Sequence, residues 1–182
     1  FFIFLFSNVQ FAQFSSTKVI SVNDGLLSNN IQSSFTDSDN NIWLGSRAGL
    51  FLKKGNLFEK APQATKYKFN NVFSIIEDPK KGKWVAGLGQ GVLFFNETTS
   101  KLINVKSGLL NNRAYSLFYY NDSVYVGTFN GISIISVQDF SVTNPRFHQH
   151  KDYEFQINHF FNIGSKVYAA VLNDGIFEVT PN

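Results

Sequence analysis

The stretch NNIQSSFTDSDNNIWLGSRAGLFL, residues 29–52, decides the fold. It reads as two half-buried strands and part of a third: 31–36 up to the polar cluster 37–41, then 42–45, then a tight turn at Ala48 and Gly49 into 50–53. Short apolar or alternating runs broken by Gly, Asn, Asp and Ser clusters predict strands joined by tight turns, here a small antiparallel meander.

The same pattern returns three times. Trp43 is followed by Trp84 (84 − 43 = 41), Tyr125 (125 − 84 = 41) and Tyr168 (168 − 125 = 43). Two residues after each aromatic stands a small residue, Gly45, Ala86, Gly127 or Ala170, and a glycine follows at Gly49, Gly91, Gly131 and Gly175. In the preceding strand Ser33, Ser74 and Ser116 hold matching positions, and His159 breaks the series. A period of about 40 residues built from short strands and turns predicts an all-β chain, a β-propeller with about four blades of four-stranded antiparallel meanders. One such meander cannot bury both faces of its sheet, so each needs a neighbour. On that logic Trp43, Trp84, Tyr125 and Tyr168 are inter-blade packing residues, and the small residues after them permit close approach.

The blades are expected at about 29–60, 70–105, 112–147 and 157–182, within a propeller region 17–182, and the last lacks its fourth strand. Residues 17–22 alternate weakly and read as a strand closing the last blade of a ring. The long polar connection 137–153 reads as an inter-blade loop. No segment sustains a 3.6-residue apolar period, which predicts essentially no helix. Asn130-Gly131 predicts a type I′ hairpin turn, in which both residues take positive φ.

With 182 residues, 43% of them hydrophobic and 21 of them Phe, the chain can bury a core of aromatic-packed β-structure. The net charge of +3 is scattered, which predicts a solvated surface and no nucleic-acid partner. The absence of Cys excludes disulfides and thiolate chemistry. Residues 1–14 read as a partial signal peptide: 1–6 are nearly all large and apolar, and small and polar residues take over around Ala12. Six apolar residues are too few for a bilayer that needs about 20. The expectation is an exported, periplasmic or cell-surface protein. With no Met at the start, and an end just after the fourth copy's third strand, the region reads as an incomplete fragment of a larger ring.

Few residues suggest chemistry. Asp37-Ser38-Asp39-Asn40-Asn41 imitates the start of a calcium loop, but Ile42 stands where that loop needs Gly and Ala48 where it needs Glu, so it reads as a hairpin turn. His148 and His150 would share one strand face, with His159 as a third ligand only through folding, and no metal is expected. Gly87-Leu88-Gly89-Gln90-Gly91 lacks the strand-to-helix context of a phosphate loop and reads as a hairpin. No Ser/His/Asp set or carboxylate pair recurs, so no catalytic residue and no cofactor are predicted. The candidate ligand-binding residues are Arg47, Gln90, Asn130 and Asp174, varied polar side chains on the turns between second and third strands, where variation on a fixed scaffold suits recognition.

The run Gly25-Leu26-Leu27-Ser28-Asn29-Asn30-Ile31-Gln32-Ser33, then Asp37, Asn41-Ile42-Trp43-Leu44-Gly45-Ser46 and Ala48-Gly49-Leu50, resembles the two-component regulator propeller repeat. That repeat reads approximately G-L-P-S-N-x-V-x-S-I-x-E-D-x-x-G-N-L-W-I-G-T-x-x-G-L. Residues 70–78 with 84–92, and 108–118 with 125–132, are similar. Leu27 and Leu110 replace the usual Pro, and Tyr125 and Tyr168 replace Trp. The resemblance implies a seven-bladed propeller in the periplasmic sensor region of Bacteroidetes-type hybrid two-component sensor kinases that regulate polysaccharide use. It implies as partners an oligosaccharide ligand, further blades and a kinase region of the same full-length chain, and a second copy in a homodimer, with the membrane reached only through a downstream segment. Two rivals stand beside it: a secreted binding or adhesion propeller without a kinase, and an exported propeller enzyme such as a polysaccharide lyase, which needs a clustered His/Tyr/Arg site in the channel.

Overall fold

β-Branched and aromatic residues alternate with small ones between Gly, Asn and Asp turns, and the chain folds accordingly into short antiparallel strands. The structure is a computed structural model that describes residues 19–26, 28–145 and 156–180. The segment read as a signal peptide, and His148 and His150, lie outside the described residues.

Four separate sheets follow one another, each a meander in chain order. The first blade comprises β1 (Ile31–Thr36), β2 (Ile42–Ser46), β3 (Gly49–Lys54) and β4 (Leu57–Lys60), and is joined to the second by a short helix, α1 (Pro62–Lys66). The second comprises β5 (Val72–Glu77), β6 (Lys83–Gly87), β7 (Gly91–Phe95) and β8 (Ser100–Ile103). The third has β9 (Ala114–Tyr120), β10 (Ser123–Thr128), β11 (Gly131–Ser136) and β12 (Val142–Thr143), and the fourth has β13 (Ile157–Ile163), β14 (Lys166–Val171) and β15 (Gly175–Val179). The inner strands β1, β5, β9 and β13 pack side by side in that order.

Core side chains lie between blades. Trp43 of blade one packs on Phe95 of blade two, with ring centroids 5.6 Å apart. Trp84 of blade two meets Phe140, beyond β11, at 5.7 Å, and Tyr125 of blade three meets Phe160 of blade four at 6.1 Å. Tyr168 differs: it stacks on Phe161 of its own blade at 5.4 Å. The small residue after the aromatic sets how closely blades approach. A Cβ on Gly127 would stand 2.6 Å from the Ile157 carbonyl oxygen of blade four and would collide with Ser116 Oγ.

The repeated serine is a stitch between inner strands. Ser116 Oγ donates to Ile157 O at 2.9 Å, and Ser74 Oγ accepts from the Leu117 N–H at 3.2 Å. Asp37 and Asp78 hold the first hairpins of blades one and two. Asp37 Oδ1 accepts from the N–H of Asn41 at 2.8 Å, while Oδ2 accepts from the Trp43 indole at 2.9 Å. Asp78 repeats this with Gly82 at 3.0 Å and Trp84 at 2.8 Å. Residues 37–41 are therefore a hairpin turn whose first carboxylate is spent on the neighbouring indole and backbone.

The Gly-Leu-Leu turns also match. Gly25 and Gly108 close 3-10 turns at Val22–Asp24 and Val105–Ser107 with φ of 95° and 104°, so both need a residue without a Cβ. Seven residues on from each turn's start an Asn side chain accepts its first N–H: Asn29 from Val22 and Asn112 from Val105, both at 2.9 Å.

Four expectations are corrected. Residues 19–22 form no strand, because Ser21 and Asp24 cap one another in a capping box that opens the 3-10 turn. The five-residue α1 is present, with Pro62 in its first turn, where a missing N–H is harmless. The connection after residue 137 contains β12, which pairs with β11 through Ile134 and Ile135 and completes blade three. The pair of positive φ angles predicted for Asn130-Gly131 occurs at Asn121 (46°) and Asp122 (53°), while at the predicted turn only Gly131 (122°) takes one.

Candidate ligand site at the turn end of the blades

Each inner strand begins beside the turn that joins its blade's second and third strands. Arg47, Gln90, Asn130 and Asp174 occupy these four turns, all at that end of the blades. They differ in what they are free to do. Gln90 is committed to the scaffold: its Oε1 accepts from the Asn70 N–H at 3.0 Å and its Nε2 donates to Lys68 O at 2.6 Å, bracing the connector from blade one. Asn130 Oδ1 accepts from Asn111 at 2.8 Å. Arg47 and Asp174 are exposed. The turns are also laced to the inner strands: the Arg47 carbonyl accepts from Asn71 N–H, and Leu172 N–H donates to Gln156 O. Arg113 lies over the Phe129 ring at 4.9 Å.

Immediately below the turns every inner strand carries the same irregularity. Ile31 pairs with Ser46 and Ser33 with Gly45, which leaves Gln32 without a partner on β2. Phe73, between Val72 and Ser74, is skipped in the same way against β6. Tyr115, between Ala114 and Ser116, is skipped against β10, and Asn158, between Ile157 and His159, against β14. Such a bulge bends its strand and re-aims one side chain. Phe73 and Tyr115 meet edge to face across neighbouring blades, with centroids 5.6 Å apart. Gln156 Nε2 donates to Asn158 Oδ1 at 2.7 Å. Gln32 is half-buried, and its Oε1, like Ser33 Oγ, is buried without a hydrogen-bond partner among the described residues. Nothing in the repeat pattern singled these residues out, because a bulge present in every copy leaves the period unchanged.

A second cluster lies at the opposite end, where the first hairpins of blades one and two meet. Lys83 of β6 donates to Glu77 at 2.7 Å. Glu77 also accepts from the Ser38 N–H at 2.8 Å and the Ser38 hydroxyl at 3.1 Å. Burial alone would push the Asp37 carboxyl up, but the Trp43 indole, Asn41 and the nearby Lys83 together pull it down to about 2. Burial likewise opposes ionisation of Glu77, and Lys83 and Ser38 outweigh it, holding the group below its ordinary value. A cleft of about 220 Å³ opens beside this cluster, between Trp43, Phe95 and Gln63. Each of the three charges, Asp37, Glu77 and Lys83, is answered by a structural partner, so the cluster reads as a brace.

Residues 25–48 match the family model described as two component regulator propeller. The first blade carries a two component regulator propeller repeat. The matched stretch runs from the glycine that closes the 3-10 turn, through Asn29 and the Asp37–Trp43 pair, to the turn bearing Arg47, so the repeat's marked positions are the ones that hold this blade's turns. No curated protein sequence matches the chain.

Solved structures share the fold of this chain. The extracellular domain assigned to a hybrid two component system of B. thetaiotaomicron superposes with a TM-score of 0.75 at 16% identity, over 90% of this chain and 25% of that one. An extracellular domain assigned to a one component system from the same organism gives 0.69 at 17% identity, over 86% and 24%. Virginiamycin B lyase from Staphylococcus aureus gives 0.60 at 12%, over 82% and 55%. The chain thus spans about a quarter of the length of the two extracellular domains it matches. Among the described residues no helix is long and apolar enough to cross a membrane.

Proposed function

We propose that this chain is a ligand-sensing, extracytoplasmic propeller segment of a bacterial two-component regulator, responding to a carbohydrate and non-catalytic itself. The observation that carries this reading is the two component regulator propeller repeat at residues 25–48, set in a fold shared with extracellular domains of B. thetaiotaomicron regulators. The non-catalytic part rests on how the repeated polar groups are used. Asp37 and Asp78 are spent on indole and backbone donors, and Ser116 on a carbonyl of the next blade. In this reading a kinase region of the same full-length protein makes the output, and further blades and a second copy complete the receptor.

The test is thermal denaturation of the protein with a panel of neutral and acidic oligosaccharides. A saturable rise in Tm with at least one sugar is expected, since a ligand that binds only the folded state stabilises it by mass action. Accumulation of shortened or unsaturated sugar products during the incubation would replace the sensor reading with the lyase.

A further inference from the structure

One blade departs from the repeat just before its aromatic. Ile42, Val124 and Val167 precede Trp43, Tyr125 and Tyr168, but Lys83 precedes Trp84. A buried ion pair is often matched or exceeded in stability by well-packed apolar residues, so the fold alone does not call for this lysine. A second departure lies beside it: α1 joins blades one and two, and among the described residues no other two blades are joined by an α-helix. Both departures meet at the cleft of about 220 Å³ that opens at the hairpin end of this joint.

Trp43 and Phe95 form the apolar wall of the cleft, Gln63 of α1 lines it half-buried, and Asp39 and Glu97 line it exposed. Lys83 is paired with Asp37 and Glu77, and Lys81 with Asp39, which leaves Glu97 without an ion-pair partner among the described residues. Four carboxylates, Asp37, Asp39, Glu77 and Glu97, thus meet two ammonium groups, and the surplus charge is negative. The Gln63 amide makes no side-chain hydrogen bond among the described residues and offers both a donor and an acceptor. An unanswered carboxylate, an unused amide and an apolar wall suit a cation carried on a short hydrocarbon stem. Sites for drug-sized ligands run to about 300–1,000 Å³, so this smaller cleft suits one small molecule and not an oligosaccharide.

We propose that the cleft between blades one and two binds a small organic cation, an alkylamine or guanidinium compound about the size of one amino acid. The site lies at the opposite end of the blades from the turns and does not rest on the carbohydrate reading. Lys83 contributes by clamping the two hairpins that flank the cleft.

Calorimetric titration of the protein with agmatine, cadaverine and L-arginine, and with L-citrulline as the uncharged counterpart of arginine, tests this. Saturable one-to-one binding of at least one cation is expected, with none of citrulline. Glu97→Gln should weaken that binding about tenfold or more, the worth of one hydrogen bond to a charged group. Because the Glu97 side chain is exposed, the variant should keep the wild-type Tm, which separates recognition from folding. Glu59→Gln, which removes an exposed carboxylate of β4 outside the cleft, should leave the affinity within about twofold. Citrulline binding as tightly as arginine would overturn the recognition of charge. Equal losses in the two variants, or none in Glu97→Gln, would overturn the cleft as the site. If no cation binds, the proposal falls, and the carbohydrate reading is judged by its own test.

Discussion

The Lys83 ammonium stands 3.4 Å from the Asp37 carboxylate, across the joint between the first and second blades. Lys83 is only 8% exposed and Asp37 5%, so this contact is a charge pair withdrawn from water inside a joint. A lysine at the start of a strand, beside a hairpin turn, ordinarily stands in solvent. Here it is buried because the preceding blade and its own β5 each supply a carboxylate.

Removing the cation should therefore cost far more than removing an exposed one. Lys83→Ala leaves Asp37 and Glu77 buried without their counter-charge and is expected to destabilise the protein by about 3 kcal/mol or more. Lys81→Ala breaks only the exposed pair with Asp39 and is expected to leave the unfolding midpoint almost unchanged. Urea unfolding of the two variants measures both; equal midpoints would refute the buried brace.

Acid should loosen the same joint. Because the Trp43 indole, Asn41 and Lys83 hold the folded Asp37 carboxyl down to about 2, below the ordinary carboxylate value, its contribution is fully present above about pH 5 and is lost as pH falls toward 2. Glu77 shifts in the same direction and adds to the loss. The Tm measured from pH 6 to pH 3 should fall, and the fall should shrink in Asp37→Asn. A pH-independent Tm over that range would contradict the assignment.

The indole donors are testable with a double-mutant cycle, which cancels the cavity left by the smaller ring. Trp84→Phe keeps an aromatic against Phe140 but strips Asp78 of its indole donor, a loss of about 1–3 kcal/mol from that bond. In the double variant Trp84→Phe with Asp78→Ala, the loss should be less than the sum of the single losses. Strict additivity in a double-mutant cycle would show that the pair does not interact.

Close approach of blades three and four predicts that Gly127→Ala is disproportionately harmful. Its Cβ must displace either Ser116 or the Ile157 carbonyl, an overpacking cost of about 1–3 kcal/mol, with loss of the stitch between β9 and β13. Gly55→Ala is the control: nothing lies within 4 Å of its Cβ, and only its φ of 60° resists, at about 1 kcal/mol. Comparable denaturation midpoints for the two would argue against the tight joint.

The aromatic-x-small pattern made the blades legible, because the ring at Trp43, Trp84 or Tyr125 and the residue two positions on lie on one face of a strand and meet the next blade. Legibility stopped where backbone rather than side chains decides. β12 is only Val142–Thr143, held by ladder bonds inside a polar stretch, and α1 is too short to show a helical period. The pair of positive φ angles fell at Asn121-Asp122 and not at the more familiar Asn-Gly pair. The turn residues Arg47, Gln90, Asn130 and Asp174 were read as one class, whereas Gln90 is tied to the scaffold by two hydrogen bonds. The bulges left no mark at all: Phe73 and Tyr115 look like ordinary strand aromatics until the pairing register shows them skipped.

Among the described residues the serine stitches join β5 to β9 and β9 to β13, Ser74 to Leu117 and Ser116 to Ile157. Stitches of this kind join neighbours like the teeth of a zipper. Pulled at its ends, the chain should yield one meander at a time, in a sawtooth of separate force peaks, because opening one joint leaves the stitches of the others intact. Its interior teeth, between β5 and β9, should release their amide protons to deuterium last.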